Sequence, residues 1–242
     1  MKVRVGFIIN FKSTSWLGGY NYFKNLFLCL EEYKKKKIIP VLITDRPSEL
    51  KKDSVFSKYE ILETNLVSRS NLPLKIFSKI LIILLGKNIF LDSFLKKNNI
   101  KILSHSGWIG NKTNIINFPW LPDFQEIHFP ENFNLINKLI RKVRVILCSH
   151  YSTKILISSK SVRKDLKKIN FNAYKNSILI KHSVDVPSYN KLKSLSYLKK
   201  KYKIKKYFFF LPNHYWIHKN HIVVLKALSI KKKLKKNYQI IS

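Results

Sequence analysis

The hydrophobic positions fall into short unbroken runs that alternate with segments of helical spacing. VRVGFIIN (3–10) is β-branched and apolar without alternation, the pattern of a strand buried on both faces. A loop, FKSTSWLGG, follows, and Tyr22, Phe23, Leu26, Leu30 and Tyr33 then recur at helical spacing. IIPVLITD (38–45) is a second strand. This β–loop–α–β order predicts a doubly wound α/β sheet whose glycine loop lies at a strand's carboxyl end, where such sheets bind ligands. Further on, the pattern predicts a basic helical segment over 71–98 with Pro73 near its start, strands over 101–105 and 114–118, and a Pro-rich aromatic loop over 119–131. A helix is expected over 132–150, with a strand over 143–149 as the rival reading; a strand (154–158), a helix (161–169) and a strand (176–180) come next. After a turn-like VDVPSYN and a short helix (192–202), YFFFLP (207–212), a helix from HKNH onward and YQIIS read as a second β–α–β start. The expected division is an N-terminal Rossmann-like domain over 1–190 and the incomplete start of a second over 191–242. One strand pair and one helix cannot bury a two-sided sheet.

Composition changes this picture in one respect. Of 242 residues, 47 are Lys or Arg against 13 Asp or Glu, a formal net charge of +34. Only six of the cations are arginine, and the lysines are spread along the whole chain. Base and phosphate forks favour arginine, so the charge argues for a solvated basic surface and against nucleic-acid recognition. Anionic lipid or a polyanionic substrate is the next candidate partner. Cys29 and Cys148 have no paired spacing and read as buried thiols of a reducing compartment. The N-terminus has no signal-peptide core, and the longest apolar run, ILIILL (80–85), is too short to span a bilayer. The expected location is cytoplasmic, with peripheral contact at the inner face of the membrane as a further option.

Four ordered stretches carry a resemblance: WLGGYNYFKNL (16–26), WLPDFQEIHFPE (120–131), SSKSVRKDL (158–166) and LPNHYWIHKNHIVVLKAL (211–228). Together they resemble the GT-B glycosyltransferases of family 4, retaining enzymes that use nucleotide-sugar donors. The resemblance implies two Rossmann-like domains, the first on the acceptor side and the second holding the nucleotide-sugar. It also implies hexosyl transfer to a cell-surface polysaccharide or lipid-linked glycan, with no cofactor and no bound metal. The family's E-x7-E region has no counterpart here, so weak activity or none is expected of this chain by itself. A separately encoded C-terminal half is then a candidate partner. The rival reading is a non-catalytic basic module that binds glycan or a partner half-enzyme.

The resemblance assigns candidate roles residue by residue. Gly18 and Gly19 permit close backbone approach ahead of a helix whose free amides attract anions. Lys219, just before a helix, would neutralise a departing diphosphate, and Asn213 stands where relatives often carry an arginine. Asp123 and His128 are the catalytic candidates. Pro122 occupies the position of a histidine common in relatives, so that role does not transfer. His105 and Trp108, at a strand's end, are acceptor-side candidates. His214, His218 and His221 have a loose metal-ligand spacing, but lining or capping roles account for them better.

Overall fold

The computed structural model describes residues 2–12, 14–33, 37–182, 184, 192–205, 207–212, 215, 219–231 and 239–241. The chain forms two compact units, Met1–Asp185 and Val186–Ser242. The boundary expected at 190/191 lies outside the described residues.

The first unit begins with β1 (Val3–Ile8), α1 (Leu17–Glu32), β2 (Ile38–Thr44), α2 (Pro47–Lys51) and β3 (Glu60–Glu63). It continues with α3 (Leu72–Leu85), α4 (Ile89–Lys97), β4 (Ile102–Ser106), β5 (Ile116–Leu121), α5 (Gln125–His128) and α6 (Leu135–Tyr151). It closes with β6 (Ile155–Ile157), α7 (Lys160–Ile169), α8 (Phe171–Lys175) and β7 (Ser177–Leu179). The seven strands make one sheet in the order β3-β2-β1-β4-β5-β6-β7. Every pairing in it is parallel. The order runs outward from β1 on one side and from β4 on the other. The switch point, where open α/β sheets leave a crevice at the carboxyl ends, therefore lies between β1 and β4.

Alternate residues of β1 and β2 serve opposite faces. Val5, Phe7 and Leu42 join the core cluster beneath α1, with Phe23 and Phe27. Val41, Ile43 and Leu103 join the cluster beneath α4, with Leu91 and Leu95. Burial on both faces explains why these strands lack a polar alternation. Pro40 sits inside β2 because the β2–β3 pairing starts one residue later, at Val41 opposite Glu60, so the missing N–H faces no neighbour.

Several expectations are corrected. The segment 71–98 is two helices: Gly86 ends α3 in the left-handed conformation (φ 74°), and the Asn88 side chain caps α4 by accepting from Leu91 N. The helix reading prevails over the rival strand at 143–149, because Asn134 caps a continuous α6. Residues 119–121, read as loop, extend β5. Pro119 falls at a register shift against β4, and Trp120 and Leu121 pair with β6. β3 and α8 carried no recognised signal; β3 is a four-residue strand with charged ends.

The second unit contains α9 (Leu195–Tyr202), β8 (Phe208–Phe210), α10 (His221–Lys231) and β9 (Gln239–Ile241), with β8 and β9 parallel. Phe210 is 62% exposed, and Ile222, Val223, Leu225 and Ile230 of α10 are all more than half exposed.

Core position sets the cost of truncation. Phe27 is fully buried against Phe7, Phe56 and Tyr59, so Phe27→Ala is expected to cost about 3–5 kcal/mol in urea unfolding. Leu84, at 72% exposure, is expected to tolerate alanine within about 0.5 kcal/mol in the same assay.

Candidate active site

The carboxyl ends of β1, β4 and β5 converge beside the start of α1. Trp16, the N-cap of α1, offers no side-chain cap to the helix amides. Its indole packs against Phe11 (5.0 Å between centroids) and Trp120 (5.6 Å). The two glycines of the loop are not equivalent. A Cβ on Gly19 would lie 2.4 Å from the Trp16 ring, so glycine there is a packing requirement. A Cβ on Gly18 would meet nothing within 4 Å; that residue is exposed and leaves the helix start accessible.

His105 sits at the switch point in β4. Its φ of 54° is unusual for a residue with a side chain, and it coincides with the register shift between Ser104 and Ser106. Two hydrogen bonds hold the ring: Ser104 Oγ to Nδ1 at 2.8 Å and Tyr22 Oη to Nε2 at 2.7 Å. Phe7, Phe23 and Trp120 surround it. Burial lowers the imidazole pKa to about 3, so the ring is neutral at physiological pH. Burial likewise pushes the Tyr22 phenol up to about 12. Tyr22 stacks on Trp120 at 4.2 Å and meets His182 edge-on at 4.7 Å. Tyr22 thus belongs to the site, although its helical spacing marked it only as core.

Trp108, two residues past β4, is buried at 7% exposure beneath Lys79, whose ammonium lies 3.7 Å from the ring centroid and donates to the Trp108 carbonyl. Both acceptor-side candidates are thus below the surface of the crevice, with His105 at 8% exposure. Burial lowers the Lys79 pKa to about 8.

Asp123 and His128 have separate partners. Asp123 accepts from Gln125 Nε2 at 3.1 Å and lies 3.8 Å from Arg141. The His128 Nε2 is 2.8 Å from Oδ2 of Asp165, a buried carboxylate of α7, while its own side chain remains 52% exposed. The SSKSVRKDL stretch is explained part by part. Ser158 accepts from the Trp120 indole N–H, Ser159 caps α7, and Asp165 holds His128. A pocket of about 220 Å³ opens at the ends of β1 and β2, lined by Ile9, Phe11, Tyr20, Thr44, Arg46 and Glu49.

In the second unit, Lys219 is exposed immediately before α10, preceding Asn220 with φ 50°. His221 contacts Tyr215 at 4.9 Å. Asn213, His214, Trp216 and His218 lie outside the described residues. Among the described residues, no group of three His, Cys, Asp or Glu side chains is placed to hold a metal. No described helix is long and apolar enough to cross a membrane.

No family model matches the chain, and no curated protein matches it. Solved structures do. HepE of Anabaena, in complex with UDP-glucose, aligns with a TM-score of 0.55 at 11% identity, over 94% of this chain and 57% of that one. MnaA of S. aureus, in a structure with UDP, aligns with a TM-score of 0.49 at 14% identity, over 99% of this chain and 61% of that one. The chain therefore spans little more than half the length of HepE. The likeness to HepE shows the fold: a Rossmann-like α/β architecture of the GT-B type, as the sequence leads one to expect.

The two glycines separate in a stability assay. Gly19→Ala is expected to cost about 1–3 kcal/mol through overpacking against Trp16. Gly18→Ala is expected to be neutral or to gain up to about 1 kcal/mol, because helix propensity improves in open space. His105 governs acid sensitivity. The folded imidazole stays neutral to about pH 3 while the unfolded one takes up its proton near 6.5. Its contribution is therefore complete above pH 6.5 and is lost as pH falls through that window, by at most about 1.4 kcal/mol per pH unit. His105→Gln is expected to flatten the pH dependence of urea midpoints between pH 6.5 and 4; an unchanged slope would count against a buried neutral ring.

Proposed function

We propose that the chain is the acceptor-side domain and the beginning of the donor domain of a family-4-like retaining glycosyltransferase. In this reading it acts without a bound metal, moving a hexose from a nucleotide-sugar to a glycan acceptor. The observation that supports this most directly is the open, uncapped start of α1 at Gly18, beside the switch point of a fold shared with HepE, a protein solved with UDP-glucose. Exposed amides at a helix start stabilise negative charge, and sugar transfer builds such charge on the departing diphosphate. In the second unit, Lys219, exposed two residues before α10, is a cation of the kind the resemblance assigns to a nucleotide-sugar diphosphate. The resemblance would give Asn213 a neutral donor's role. On the acceptor side, His128 held by Asp165 keeps a defined ring orientation, and Asp123 offers a carboxylate to the incoming hydroxyl. Neutral His105 and Trp108 shape the crevice from below.

UDP-glucose titrated into isotope-labelled protein is expected to shift amide signals of Leu17 to Tyr20 and of Lys219 to Val223. Loss of the Lys219 charge in Lys219→Ala is expected to weaken binding about tenfold, the scale of one charge-assisted hydrogen bond. Shifts absent from both segments would end this reading.

A further inference from the structure

α7 and α8 make a tight corner on the first unit. Ser159 caps α7 by accepting from Val162 N, and Asn170 caps α8 by accepting from Ala173 N at 2.8 Å. Val162 and Leu166 of α7 and Ala173 of α8 enter one core cluster, which fixes the inward faces of both helices. Helical spacing then sets what faces outward. Lys160, Arg163, Lys164, Lys167 and Lys168 of α7 are all exposed, as is Lys175 of α8. Between Lys154 and His182 the sole acid in the sequence is Asp165, and it turns to His128 at 2.8 Å. Among the described residues, no carboxylate forms an ion pair with any of these outward cations.

Two aromatic rings lie among these cations, and measured distances tie the group together. Phe171 and Tyr174 stack at 5.8 Å between centroids, with 24° between their planes. The Arg163 guanidinium is 5.1 Å and the Lys167 ammonium 5.6 Å from the Tyr174 centroid. The Lys175 ammonium is 4.8 Å from the Phe171 centroid. Each of these three cations rests on a ring and not on an acid, so an incoming anion has no carboxylate to displace. Phe171 keeps 51% of its surface exposed beside them.

An exposed ring among unpaired cations matches a polymer that carries flat apolar groups and a negative charge at every repeat. The cations of α7 recur once per turn, about every 5–6 Å along roughly 15 Å of helix. A single strand of nucleic acid offers both complements: closely spaced phosphates for the cations and unstacked bases for the ring. A duplex keeps its bases stacked on one another, and an acidic glycan has no flat π surface to offer. The scarcity of arginine speaks against forks that read base edges. Such forks are not needed where stacking and backbone charge carry the binding.

We propose that the exposed face of α7 and α8 binds single-stranded nucleic acid without reading its sequence, with phosphates on Lys160, Arg163, Lys164 and Lys167 and a base stacked on Phe171. This goes beyond the glycosyl-transfer reading and does not depend on it. The test is fluorescence anisotropy of a labelled oligouridylate at physiological and higher salt. Arg163→Gln combined with Lys167→Gln is expected to weaken binding about tenfold and to flatten the slope of log affinity against log salt by about 1.4, the share of two phosphate contacts. Phe171→Ala is expected to weaken binding about fivefold or more with the slope unchanged, and Phe171→Trp to restore it. Lys97→Gln combined with Lys101→Gln removes the same charge elsewhere on the unit and is expected to leave binding nearly unchanged. All these side chains are exposed, so urea midpoints are expected to stay constant. A duplex of the same length that binds as tightly, or no loss in Phe171→Ala, would overturn the proposal, since either outcome removes the stacked base. A polyuronate of matched charge that binds as tightly would overturn it by giving the face to an acidic glycan. An equal loss in the Lys97 and Lys101 variant would overturn it too, leaving only the general attraction of a basic chain. The UDP-glucose shifts at Leu17 to Tyr20 and Lys219 to Val223 remain a separate measure of the glycosyl-transfer reading.

Discussion

The stack of Tyr22 on Trp120 holds the first unit's crevice together. Tyr22 belongs to α1 and Trp120 to β5, so a single 4.2 Å contact fixes the helix across the carboxyl ends of the central strands. Trp120 is itself tied to β6 through Ser158 and to α6 through the Arg144 bond to its carbonyl. Trp16 then leans on Trp120, and Gly19 has no side chain because the Trp16 ring occupies that space. The open amides at Gly18 are a by-product of this packing: the aromatic residue at the N-cap position has no oxygen with which to close the helix start.

The same constraint explains the state of His105. A ring enclosed by Phe7, Phe23, Tyr22 and Trp120 cannot hold a proton cheaply, so its two nitrogens are satisfied by neutral hydroxyls. Its left-handed backbone turns the strand at the switch point, which links strain in β4 to the position of the Trp108 segment and thence of Lys79. The crevice is therefore apolar and neutral at its floor and cationic at its rim.

The arginines show how much of the site could be read in advance. In a chain with 47 basic residues, six arginines are scarce, and all but Arg46, which meets only its neighbour in sequence, use the planar fork or its face on a partner distant in sequence. Arg4 grips Glu60 through both terminal nitrogens, Arg141 reaches Glu126, Arg163 lies over Tyr174, and Arg46 approaches Asp45. Arg69 and Arg144 bond to an amide oxygen and a carbonyl. Scarcity was thus a usable signal for residues 69 and 144, but spacing in sequence could not show which oxygen each one meets. Gly86 and Asn88 likewise carried the stop and cap that divide residues 71–98, though the continuous apolar pattern across them masked the break.

By itself the sequence determined the alternation of buried strands and helices, and hence a parallel α/β sheet. Unbroken β-branched runs fit a sheet covered on both faces, and helical spacing between them supplies the cover. The sequence also placed the glycine loop after β1 and the helix over α6. Tertiary structure alone decided that Gly18 is open and Gly19 is not, that His128 turns to Asp165, and that Arg69 meets Asn10, Lys79 the Trp108 carbonyl and Arg144 the Trp120 carbonyl. The reason is one of range: periodicity reports which face of an element is buried, whereas these relations join residues dozens of positions apart through the order of strands in the sheet.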